Sequence, residues 1–347
     1  MKKSSKKVLA LMAAFAIMLT SLSGCGGDTA SESSAQESTG ESKTFPTMSI
    51  QLYHVNPTSE DDQYQKFATL FAEKVGEATG GAITFDIIGN SNENDVLTGF
   101  SIGTHEMGII TNGTFSALYG PSTIAELPFF FKDNQTAWEF LDGEIMKEIT
   151  DNLYTELNTK VLGWAEGGFR NILSQKPIRE PADLVGMKIR IPEFDTFMST
   201  FEALGANPTP MAFSEVFTAV QQGVIDGLEL PVASAYTGSY YEACDYYNLT
   251  GHFYNGFALS CSATFWEGLS PELQEVFSTA ALEAGQEQRE WLKEASDVML
   301  NEMEEAGCEI VRDVDVAAFQ EAVQPVYEMY RDVIGSDLLD RALASVQ

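Results

Sequence analysis

Positive charge is scarce in this chain: 20 Lys and Arg stand against 51 Asp and Glu over 347 residues. Four of those cations (Lys2, Lys3, Lys6 and Lys7) crowd the N-terminus, leaving 16 and a formal charge of −35 beyond them. A surface of that sign repels phosphate backbones and anionic headgroups, so no nucleic-acid partner is expected. Cysteine is also sparse. Cys25, Cys244, Cys261 and Cys308 form no C-x-x-C pair, which argues against a zinc site or a redox dithiol. A Cys244–Cys261 bridge is compatible with the count, and buried free thiols are the simpler reading. The three histidines, His54, His105 and His252, are far apart and no pair has a metal-ligand spacing. Asn90, Asn92 and Asn94 loosely resemble a calcium loop but lack its glycine and terminal glutamate. There is no Gly-rich phosphate loop and no internal repeat. Nothing here calls for a metal or a cofactor.

The apolar run after the leader lysines, "VLALMAAFAIML", is 12 residues long. It is too short to span a bilayer and suits the core of a signal peptide over residues 1–24. "LSGC", Leu22 to Cys25, follows with the pattern of a bacterial lipobox, in which the cysteine thiol receives lipid. An ordinary leader with an incidental cysteine is the alternative. Residues 25–44 then hold Gly, Ser, Thr and Glu with no large apolar side chain, a composition that reads as a flexible tether.

The rest of the chain has the size and apolar content for two domains. "TMSIQLYHV" alternates as a strand. "TSEDDQYQKFATLFAEKVGEATGG" reads as a helix capped by Thr58 or Ser59, with Phe67, Leu70, Phe71 and Val75 as its apolar stripe. "AITFDIIG", "EMGIITN", "GWAEGGFRNIL" and "MKIRIPE" are further strands. "ENDVLTGFSIG", "TFMSTFEALGA" and "FSEVFTAVQQGVIDG" are helices between them. This alternation implies an α/β fold with parallel sheets and covering helices. Residues 271–331 are almost wholly helical in pattern, and their first stretch exceeds 30 residues, long enough to span two domains.

"GFSIG" at 99–103 matches the G-x-S-x-G nucleophile elbow, but an elbow needs a strand before the serine and a helix after it. Here the helical segment comes first. A surface serine hydrolase acting through Ser101 is therefore the weaker alternative, and the chain is expected not to be an enzyme.

One stretch runs against the acidic background. Arg170, Lys176, Arg179, Lys188 and Arg190 fall within 21 residues, and Arg170 and Arg190 have apolar neighbours in "GFRNI" and "KIRIP". A guanidinium offers rigid paired donors that match the two oxygens of a carboxylate. On a half-buried strand it is costly unless an anion pairs with it, and that anion is either a ligand or a local Asp or Glu.

"GFRNILSQKPI", "ADLVGMKIRIPE" and "GANPTPMAFSEVFTAVQ" (Gly205 to Gln221), with the following "DGLELP", resemble the substrate-binding proteins of tripartite ATP-independent periplasmic (TRAP) transporters, the DctP type. More weakly, the similarity extends over roughly 45–340. The resemblance implies a two-lobed periplasmic-binding-protein-like fold with a long helix crossing both lobes. Lobe I would hold 45–167 plus 256–295, and lobe II 168–255 plus 296–347. It also implies capture of a small organic acid and delivery to TRAP membrane subunits by a monomer anchored outside the cytoplasmic membrane. A receptor presenting its ligand to a signalling sensor remains the alternative within this fold. Arg190 matches the family arginine that pairs with the ligand carboxylate, Arg170 a second arginine, and Phe213 an aromatic that packs on the ligand body. Leu230 stands where the family usually has an asparagine, which removes an amide and adds an apolar surface, favouring a monocarboxylate with an apolar body. Glu193, after "RIP", favours a ligand with a hydroxyl or amine nearby. Asn112, ending "EMGIITN", completes the set of ligand-binding candidates.

Overall fold

The computed structural model describes residues 44–346; Cys25, the leader and residues 25–43 of the tether lie outside the described residues. Nine strands form one sheet: β1 (Met48–Tyr53), β2 (Ile83–Ile88), β3 (Met107–Thr111), β4 (Thr159–Ser174), β5 (Lys188–Ile191), β6 (Asn207–Pro210), β7 (Gly227–Pro231), β8 (Tyr246–Ser262) and β9 (Glu309–Val311). Their order is β2-β1-β3-β8-β4-β7-β5-β6, with β9 beside β8. β1–β3 and β5–β7 are the parallel groups read from the strand–helix alternation.

The sheet is mixed, however, because β4 and β8 run antiparallel to each other through its middle. These strands of 16 and 17 residues serve both lobes: the start of β4 pairs with the end of β8, and the end of β4 pairs with the start of β8. The ladder slips between Glu166 and Gly168, where Gly168 takes φ +76°, a left-handed value that glycine adopts without strain. Asn255 crowds the same place: a Cβ on Gly167 would lie 2.3 Å from its amide nitrogen.

The long helix (Pro271–Glu305) fastens the two lobes. Ser270 caps it, and Pro271 fits the first turn, where no backbone donor is needed. Its first half buries Phe277, Ala281 and Ala284 with Phe67 and Phe71; its second half buries Leu292, Met299 and Met303 with Leu228 and Tyr247. Each buried Phe, Leu or Met side chain among these contributes about 1.5–3 kcal/mol on leaving water. Gly285 lets the helix lie against β4, since a Cβ there would sit 2.3 Å from the Trp164 carbonyl oxygen.

Several expectations are corrected. The first helix is Gln63–Ala78, capped by Asp62, whose carboxylate accepts from the amides of Tyr64 (2.9 Å) and Gln65 (3.0 Å), so the cap falls three or four residues later than the serine or threonine. Residues 306–315 leave the helical run at Gly307 (φ +105°) to form β9. Ile334, Leu338, Leu339 and Ala342 pack with Phe100, Phe115 and Phe140 of the first lobe, so the C-terminal end does not stay with the second. Cys244, Cys261 and Cys308 are free and buried. Cys244 shares an apolar cluster with Cys308, whereas Cys261 belongs to another, so the sequence-compatible Cys244–Cys261 bridge is not formed.

Candidate functional site

A cleft of about 290 Å³ opens between the lobes. Its floor on the second lobe is set by β5. In "KIRI" the side chains of Ile189 and Ile191 enter one core, so strand alternation turns Arg190 to the other face. Arg190 is 2% exposed and lines the cleft. Its Nε and Nη2 donate to the Met211 carbonyl at 3.1 and 2.6 Å. Among the described residues it has no carboxylate within ion-pair distance and its Nη1 has no hydrogen-bond partner. Burial pushes its pKa down to about 10, with Arg170 adding to the fall and Glu229 opposing it. At neutral pH it remains a cation, held ready by one carbonyl and lacking a counter-ion.

Arg170 is different. On β4 it forms a two-pronged pair with Glu229 of β7: Nη2 lies 2.7 Å from Oε1, and Nε donates to Oε2. A third bond reaches the Glu229 carbonyl (3.2 Å), and Nη1 donates to Asn255 Oδ1 (3.3 Å). Burial opposes both charges, yet the pairing wins: Arg170 stays above its ordinary value and Glu229 below its own. His252, buried and lowered by desolvation, places Nε2 3.5 Å from the same carboxylate. Of the two anion choices open at the sequence level, Arg170 takes the local glutamate. The unbalanced positive charge at the floor is therefore that of Arg190.

The other candidates fall as follows. Leu230, buried beside Glu229, and Phe213, at the start of the helix Phe213–Gln221, line the cleft together with Met211 and Phe197. Glu193 lies exposed at the rim. Asn112 does not border the cleft. It sits behind the wall, its amide donating to the Ser122 carbonyl and to Glu126 Oε1, both at 3.0 Å.

The first lobe supplies a wall that the sequence reading did not assign. Asn90, Ser91 and Asn92 come from the turn after β2, and Glu93 and Asn94 open the helix Glu93–Ile102 that follows, the stretch that loosely resembled a calcium loop. Asn56, Tyr64, Thr111, Thr114 and Glu126 extend it. Glu93 is fixed by the Thr111 amide (3.0 Å), the Thr111 hydroxyl (2.7 Å) and the Thr114 hydroxyl. Burial nevertheless raises its pKa. Glu126 is pushed up to about 8, first by burial, with Asn112 and Arg170 offsetting part of the rise. A run of polar residues just before a helix was the available signal for the Asn90–Asn94 segment, and a lone acid in "AELPFFF" the signal for Glu126.

Contacts cross the cleft directly. Ser234 of the second lobe receives hydrogen bonds from Gln63 (2.7 Å) and Asn56 (3.4 Å) of the first. Gly113 faces the Phe194 ring so closely that a Cβ would stand 2.4 Å from it. Gly113→Ala is expected to prop this contact open and weaken ligand binding about tenfold, since a ligand gains only from the state that closes on it. Calorimetry paired with small-angle scattering checks this; unchanged affinity and an unchanged radius of gyration would show that Phe194 simply turns aside.

Ser101, for comparison, lies near the end of the helix Glu93–Ile102 with its hydroxyl donating to the Leu97 carbonyl (3.2 Å), so "GFSIG" does not form a nucleophile elbow.

A two-lobed receptor closing on an anion is what this fold and cleft define. The family described as "Bacterial extracellular solute-binding protein, family 7" (DctP) matches residues 54–332, and the chain belongs to it. It is 32% identical over 297 residues to the 2,3-diketo-L-gulonate-binding periplasmic protein YiaO of Escherichia coli, covering 84% of this chain and 90% of that one. To the C4-dicarboxylate-binding periplasmic protein DctP of Rhodobacter capsulatus it is 28% identical, covering 84% and 88%. Among solved structures, a TRAP periplasmic solute-binding protein of Roseobacter denitrificans with bound L-galactonate gives TM-score 0.79 at 30% identity, covering 88% of this chain and all of that one. Another from Polaromonas, bound to D-erythronate, gives 0.81 at 28% identity, covering 85% and 98%. Members of this family are solute receptors, not enzymes.

Proposed function

We propose that this receptor captures a small sugar acid outside the cytoplasmic membrane and hands it to a TRAP transporter. The observation that carries the reading is Arg190: a buried guanidinium, open to a cleft between lobes, with no carboxylate in ion-pair distance among the described residues. Arg190 takes the ligand carboxylate; Arg170, bound to Glu229, shapes the floor without adding net charge. The polar wall of Asn56, Asn90, Asn92 and Thr111 supports a hydroxylated ligand body, as do the galactonate and erythronate held by relatives. Leu230 and Phe213 then cover the ligand's carbon skeleton, and an extended hydrocarbon body, favoured from Leu230 alone, fits this wall poorly. Titration calorimetry with L-galactonate, D-erythronate, D-glucuronate and a branched hydrocarbon monoacid tests the proposal. Tight binding of a sugar acid is the expected result; a preference for the hydrocarbon acid would overturn the sugar-acid part.

We also propose that Cys25 carries lipid and holds the receptor at the membrane surface, a reading supported by the lipobox-like "LSGC" and the tether-like composition after it. Among the described residues no helix is long and apolar enough to cross a bilayer. Cys25→Ala is expected to move the protein into the soluble fraction. Unchanged membrane fractionation would remove the lipoprotein assignment while leaving ligand capture untouched.

A further inference from the structure

The wall that faces Arg190 carries two carboxyl groups with no ion pair among the described residues, Glu93 and Glu126. Both are built into place. Three donors from Thr111 and Thr114 fix Glu93, and the Asn112 amide, itself tied to the Ser122 carbonyl, holds Glu126 by Oε1. Glu126 is 5% exposed, and its Oε2 accepts no protein hydrogen bond, leaving that oxygen to whatever fills the cleft.

Resting on the proposed capture of sugar acids, we propose that Glu93 and Glu126 set the specificity of the site: both bind ligand hydroxyls and Glu93 excludes a second carboxylate, so the receptor takes monoanionic polyhydroxy acids and rejects the matching diacids. Charge balance leads to this. Arg170 and Glu229 cancel, so Arg190 alone offers positive charge, enough for one carboxylate. A second carboxylate would meet the Glu93 carboxylate in a partly buried cleft, and like charges there repel. A hydroxyl meets acceptors it can satisfy. Glu126, pushed up to about 8, keeps its proton at neutral pH and so also donates, which suits a neutral hydroxyl better than an ammonium group. Asn112 thereby acts through Glu126 as a positioning residue.

Two matched pairs test this at pH 7 by calorimetry: galactonate against galactarate, and erythronate against meso-tartrate, each differing only by a terminal hydroxymethyl in place of a carboxylate. Wild type is expected to prefer the monoacid at least tenfold in the pair that fits its cleft. Glu93→Gln, Glu126→Gln and the double variant keep the shape of the wall while removing its acidity. Glu93→Gln and the double variant should narrow that ratio at least tenfold, chiefly by gaining diacid affinity, while Glu126→Gln, which removes no charge at pH 7, should change monoacid and diacid affinity alike. Thermal melts show which variants fold, so loss of one single variant leaves the other two informative. Wild type binding monoacid and diacid alike, or an unchanged ratio in the folded Glu93→Gln and double variants, would overturn the specificity proposal and leave sugar-acid capture standing. Failure of wild type to bind any of the four would overturn both.

Discussion

Arg190→Ala is expected to raise the Kd for the carboxylate ligand by about 30-fold to several thousandfold, a loss of about 2–5 kcal/mol. Much of that loss is the ligand's own charge, left in a partly buried cleft without a partner. Arg190→Lys should also weaken binding, because an ammonium cannot reproduce the planar fork that bonds both carboxylate oxygens. Stability should respond differently from binding. Burial has pushed the guanidinium from its ordinary value of 12.5 to about 10, so the empty protein carries a desolvation cost of about 3 kcal/mol at this position. Truncation relieves that cost and leaves a cavity of opposing sign, so the melting temperature of the ligand-free variant should stay close to that of the parent. The pattern distinguishes a ligand clamp from a structural ion pair: affinity collapses while the fold holds. Calorimetry that finds Arg190→Ala within threefold of wild type would sink the clamp.

Arg190 was legible because a cation stood between isoleucines in "KIRIP", where strand alternation places it opposite a core-facing pair. The long helix was legible too, since its pattern runs past 30 residues with no proline after the first turn. β8 was not. In "YYNLTGHFYNGFALSCS" the buried positions include Asn248, Thr250, His252 and Asn255, which face inward as hydrogen-bond partners and erase the alternation of apolar and polar residues. Asn248, for example, donates to the Ile172 carbonyl at 2.8 Å and to Ser174 Oγ at 2.9 Å. Glu126 and Glu229 were hidden for another reason. Among 51 acids, the two that matter are marked by burial and by partners far along the chain, and neither property leaves a local trace. The first-lobe wall shows the same limit, because its members come from five separate places in the sequence that only the fold assembles.

Removing the carboxylate of Glu229 is expected to cost the fold about 3–5 kcal/mol, since it leaves the buried Arg170 guanidinium without its counter-ion. For a chain of this size that corresponds to a fall in melting temperature of roughly 5–8 °C. Glu229 is wholly buried and bonds Arg170 through both carboxylate oxygens and its own carbonyl, so no water can replace it without rearrangement. His252 offers no relief, being neutral and buried against Phe201. A double variant, Arg170→Met with Glu229→Leu, should recover most of the loss, because it removes the stranded charge together with its partner. The single variant also makes a prediction about ligands. Freed from Glu229, Arg170 adds a second positive charge to the cleft floor, so a carboxylate ligand should raise the melting temperature of Glu229→Ala more than that of the parent at equal ligand concentration. Scanning calorimetry with and without galactonate reads both effects. A Glu229→Ala melt within about 2 °C of the parent would mean that Arg170 finds another anion. Equal ligand shifts in the two proteins would mean that Arg170 remains turned away from the ligand even when released.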